Sequence, residues 1–110
     1  MIENLYSDYE KREIAKMIST KNIAKSTAIF SYFLRMLLKQ KRLVFTRREF
    51  WKWCKKFTNT SMRQVDNALK YVKKIGWIRE LMRGHYRVEL ACLIDLGLYE
   101  LRDLGLLKEE

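Results

Sequence analysis

The sequence predicts a mainly helical domain with one small β-hairpin, and three observations lead there. It has no proline, and the first of its four glycines is Gly76, so helices can run unbroken through the first two thirds of the chain. Three segments, Ser7–Glu10, Thr46–Glu49 and Ser61–Gln64, have the Ser/Thr-x-x-Glu/Gln spacing of a capping box. In that motif the hydroxyl and the acid or amide side chain reciprocally satisfy free amides at a helix start. After Gly76 the apolar pattern changes from a helical period to an alternating one.

The elements follow in order. Ile14, Met17 and Ile18 recur at helical spacing behind the first box, and Lys21–Lys25 reads as a connector. A second helix, about Ser26 to Lys41, has Phe30, Phe33, Leu34 and Leu37 on one face. Ile29, Tyr32 and Met36 give it a second apolar face, and Ser31, Arg35, Lys39 and Arg42 leave only a narrow polar stripe. Such a helix is buried from more than one side, either centrally or against a second protomer.

Leu43-Val44-Phe45 is a short apolar run with strand character, ending at the Thr46 box. Phe50, Trp53, Cys54 and Phe57 then form one buried stripe, with Arg48, Lys52 and Lys55 opposite. Trp51 lies at the edge of that stripe, where partial burial is expected. Thr58-Asn59-Thr60 turns the chain into the helix opened by Ser61, whose buried face is Met62, Val65, Ala68, Leu69 and Val72. Gly76 stops that helix, because glycine takes the positive φ of a helix C′ position.

Trp77–Leu81 and Tyr86–Leu90 flank Met82-Arg83-Gly84-His85 and read as a hairpin. Tyr86, Val88 and Leu90 alternate with His85, Arg87 and Glu89, while the first strand alternates less regularly. Residues from about 91 to 107 are leucine-rich and acidic and read most simply as one further helix. The 110 residues therefore make a single domain with a core over 26–90.

Composition narrows the partners. The formal charge is +10, and it is polarised along the chain. Residues 34–88 hold sixteen basic and three acidic side chains, net +13, whereas 89–110 hold two basic and six acidic, net −4. Excess of this kind points to a polyanion. Two cysteines, Cys54 and Cys92, make no disulfide framework, so a cytoplasmic location is expected. With His85 as the single histidine there is no zinc ligand set, and no metal or cofactor is expected. No window reaches the roughly 18 apolar residues of a membrane span. Ser7, Thr46 and Ser61 are caps with no base to activate them, so no catalytic residue and no enzyme are expected. No small-molecule pocket is evident either.

The order helix, short strand, capped helix, three-residue turn, capped helix, glycine, hairpin and final helix resembles the winged helix-turn-helix DNA-binding family. The likeness covers residues 26–90 and is carried above all by Ser61–Gly76 running into Trp77-Ile78. Absence of proline, the Lys/Tyr/Ile bias and small size resemble that family's archaeal, viral and plasmid regulators. The resemblance implies a winged helix-turn-helix core with an additional N-terminal and C-terminal helix.

It also implies that the helix over 61–75 enters the major groove and that 77–90 forms a short wing. At 100° per residue, Arg63, Asn67, Lys70 and Lys74 fall within about 40° of the direction opposite Val65. Arg63, Gln64 and Asn67, near the helix start, are then the base-reading candidates, since arginine suits guanine and Asn or Gln suits adenine. Arg47, Arg48, Lys52, Thr60, Ser61, Lys70, Tyr71 and Lys74 are the phosphate candidates. Arg83, His85 and Arg87 are the wing candidates, although His85 reads more simply as an ordinary turn residue than as a phosphate ligand. Lys55, Lys56 and Lys73 read equally well as a solvated face.

The expected function is sequence-specific binding of double-stranded DNA by a transcription regulator. The alternatives are a non-specific architectural, replication or partition factor, and a winged-helix adaptor docking an acidic protein. Eight leucines in the acidic tail suggest a homodimer through the helix 26–41 or the C-terminal helix, against a tail that closes the core of a monomer.

Overall fold

In a computed structural model, residues 5–20 and 25–96 are described. They form α1 (Asp8–Ser19), α2 (Ser26–Lys39), β1 (Val44–Thr46), α3 (Arg47–Lys55), α4 (Met62–Lys74), β2 (Ile78–Met82), β3 (His85–Val88) and α5 (Leu90–Leu96). The chain is mainly helical, with a three-stranded antiparallel sheet in the order β1-β3-β2.

All three capping boxes form. Ser7, Thr46 and Ser61 each accept from the amide three residues on, and Glu10, Glu49 and Gln64 each accept from the cap residue's own amide. Two helices end in the same hydrogen-bonded turn. At the end of α4, Trp77 N–H donates to Val72 and Gly76 N–H to Lys73, with Gly76 at φ +85°. At the end of α2, Arg42 N–H donates to Leu37 and Lys41 N–H to Leu38. There the left-handed residue is Lys41, at φ +57°, so α2 closes two residues short of the predicted end.

The core is built around α2. Its Ile29, Phe30, Phe33, Leu34, Leu37 and Leu38 are all buried within the chain, which decides between the two readings of that helix for these side chains. The Phe33 ring lies 4.9 Å from Phe50, 5.1 Å from Phe45 and 5.4 Å from Trp53, centroid to centroid and edge to face. Aromatic rings favour this geometry because the positive edge of one meets the negative face of the next. Helix α1 is strapped to α2 by the Arg35–Glu10 ion pair (2.9 Å) and by the Tyr6 hydroxyl, which donates to the Tyr32 carbonyl. The Arg35 guanidinium also stands 5.3 Å from the centre of the Tyr32 ring.

The apolar run before Thr46 is a strand, and it pairs Phe45 with Tyr86 across to β3. The two-residue tip Arg83-Gly84 joins β2 to β3, with Gly84 at φ +77°, and the irregular first strand is explained by a bulge between Glu80 and Met82. Leu90 departs from the expected alternation. It opens α5 and is 64% exposed, because the chain leaves the sheet at Val88. Helix α5 instead buries Cys92 and Leu93, and the Trp77 indole N–H donates to Asp95 at 2.7 Å. The predicted helix beyond residue 96 lies outside the described residues.

A cavity of about 140 Å³ lies between α1, α2, α3 and α4, where the sequence had offered no pocket.

Candidate nucleic-acid interface

Helix α4 divides as its sequence requires. Val65, Leu69 and Val72 are buried against α2 and α3, while Arg63, Asn67, Lys70 and Lys74 are exposed along the opposite side. Tyr71 is half-buried on the shoulder. Arg48 and Lys52 are exposed on α3. Among the described residues none of these five cations has a carboxylate partner.

The start of α3, the middle of α4 and the hairpin tip meet. Arg47 N–H donates to the Gly84 carbonyl at 2.9 Å. The Arg47 guanidinium makes two bonds of 2.6 Å to the Asp66 carboxylate. Lys73 Nζ lies 2.8 Å from Glu80 Oε1, and the other Glu80 oxygen accepts from Gly84 N–H at 3.1 Å. The Lys73 ammonium and then the Gly84 amide, helped by Arg83, hold the Glu80 carboxyl below its usual range. Tyr86 sits among these four charges, and burial together with Glu80 raises its hydroxyl pKa. Glu80 therefore fixes the tip of the hairpin to the end of α4.

Several predicted contacts are placed differently. Gln64 does not present a free amide to a base. Its Oε1 accepts from the Thr60 hydroxyl at 2.7 Å and from Ser61 N–H at 3.1 Å, since the cap bends the side chain back. Bidentate recognition of adenine needs that oxygen, so Arg63 and Asn67 are left as the base-reading candidates. Thr60 is 7% exposed and its hydroxyl is spent on Gln64, so it is no surface phosphate ligand. Ser61 is exposed, but its hydroxyl caps the helix. Arg47 reaches a phosphate only by giving up Asp66.

The wing candidates separate as well. Tyr86 faces inward to stack on Phe45, so by strand alternation the exposed His85 and Arg87 lie on the other side of the sheet, away from α4. Only Arg83, at the tip, stays with the charged group around Glu80. Lys73 is paired, and Lys55 packs its ammonium 4.4 Å from the centre of the Trp51 ring. Trp51 is half-buried and donates from its indole to the Thr60 carbonyl at 3.1 Å. Asp66 and Glu80 were missed as organising residues. Their partners are 19 and 7 positions away, beyond the reach of any local pattern.

Comparison with family models, with curated proteins and with solved structures gave no match to this chain.

Proposed function

We propose that the chain is a winged helix-turn-helix protein that binds double-stranded DNA as a sequence-specific transcription regulator. The observation that carries this reading is the junction of the α3 start, mid-α4 and the hairpin tip, flanked by cations that have no carboxylate partner among the described residues. The element order, the short β1 strand and its pairing with the hairpin support it. Helix α4 enters the major groove, with Arg63 and Asn67 on base edges and Lys70 and Lys74 on phosphates. Arg48, Lys52 and Arg83 hold the flanking backbone.

The protein acts as a homodimer; on α2 Ile29, Phe30, Phe33, Leu34, Leu37 and Leu38 are buried in its own core, which leaves the partly buried Tyr32 and Met36 as its apolar surface. Helix α5 offers the more exposed surface: Leu90 and Ile94, one turn apart, are 64% and 59% exposed. Sedimentation at micromolar concentration tests this, and a strictly monomeric mass rejects it.

The DNA reading is tested by titrating random and selected duplexes across a salt series. Neutralising some six phosphates gives a slope of log K against log salt near −5. Absence of binding at low salt rejects the reading.

A further inference from the structure

The cavity between the first four helices lies behind the duplex-facing side of α4. Its wall is formed by Ile18, Ile29, Phe50, Cys54, Val65 and Ala68, one or two side chains from each helix. Ser26, Thr60, Gln64 and Asn67 supply the polar atoms of the lining. No ionised side chain lines it among the described residues, and burial keeps the Cys54 thiol protonated.

Size and chemistry together specify an occupant. The volume is about 140 Å³. An enclosed apolar protein cavity of about 150 Å³ takes up benzene; this one matches it in size and is mostly apolar in lining, but is half-open to solvent, with the exposed Asn67 at its wall. A charged molecule would lose its hydration with no opposite charge to meet it. We infer that this cavity is a binding site for one uncharged, single-ring apolar molecule. Its occupant touches Gln64, Asn67 and Ala68 of α4, the helix that also presents Arg63 and Lys70.

Benzene and toluene, added separately to the full chain, test the site without any nucleic acid, so the result is independent of the DNA reading. At about ten times the dissociation constant, the bound molecule raises the thermal midpoint by about 5 °C. Methyl resonances of Ile18, Ile29, Val65 and Ala68 shift saturably, while those of Leu81 and Leu90 on the surface stay fixed. Ala68→Leu, which fills the space from α4, removes the midpoint shift. Cys54→Leu fills it from α3 and does the same, so the test survives if one variant fails to fold. Three results overturn the inference: no saturable effect up to ligand solubility, resonance shifts at the surface leucines instead, or an unchanged midpoint shift in a folded filled variant.

Discussion

The surroundings of α2 and the outer side of α4 are built from opposite materials. Around α2, buried aromatic rings meet from three elements, and each contact is also a contact of its neighbours. Along α4, single exposed ion pairs, Arg47–Asp66 and Lys73–Glu80, fix the orientation of adjoining elements while other cations have no carboxylate partner among the described residues. Burial of apolar surface is insensitive to salt, whereas exposed ion pairs are individually weak and screened. The molecule thus separates what holds it together from what is free to exchange partners.

The largest effect comes from breaking the first region. Phe33→Ala removes the ring at the centre of the aromatic cluster and costs about 3–5 kcal/mol of stability. Urea unfolding measures it, and a loss under about 1 kcal/mol would mean that the cluster is loosely packed.

Next is the outer side of α4. Arg63→Ala and Asn67→Ala each remove roughly 1–3 kcal/mol of discrimination between cognate and random duplexes, at unchanged thermal midpoint. Lys52→Ala and Lys74→Ala weaken both duplexes alike. Equal losses on both duplexes for all four variants would dismiss direct base readout.

Smaller again is the link between the hairpin and α4. Glu80→Gln removes a negative charge from the side proposed to face DNA, which by electrostatics alone strengthens binding. If Glu80 positions the tip, the variant instead loses about two- to fourfold in duplex affinity, the scale of one exposed ion pair. A gain in affinity would assign Glu80 a purely electrostatic role.

An effect of similar size distinguishes the two matching helix ends. Gly76 adopts its left-handed conformation without strain, whereas Lys41 does so with a side chain. Lys41→Gly stabilises the fold by about 0.5–1 kcal/mol, and Gly76→Ala destabilises it by at least as much. Equal and opposite thermal shifts would sharpen the parallel between the two ends. No change at Lys41 would break it.

What could be read from the chain beforehand divides along physical range. The three capping boxes were legible because donor and acceptor lie three residues apart, and the buried side of α4 because its period is local. The centrality of α2 was legible from two apolar faces, though not whether its own chain or a copy covered them. Gln64 illustrates the limit. Its position recommended it equally as a cap and as a base reader, and only the Thr60 hydroxyl, held by the turn into α4, decides for the cap. His85 and Arg87 looked like wing contacts because alternation tells which residues share a side, not which side faces α4. Leu90 fitted an alternating strand until the chain turned into α5. The Arg47–Asp66 pair and the cavity depend on how helices pack, which no residue spacing encodes.

The bulge in β2 matters beyond this one molecule. A sheet ordered β1-β3-β2 ends in β2, and an edge strand is a template on which a strand from another copy can grow. Leu81 and Met82, 51% and 65% exposed, would make that growth adhesive. The register break between Glu80 and Met82 interrupts the row of amides and carbonyls there. A visiting strand could pair only as far as Glu80, so one displaced residue guards the protein against edge-to-edge aggregation.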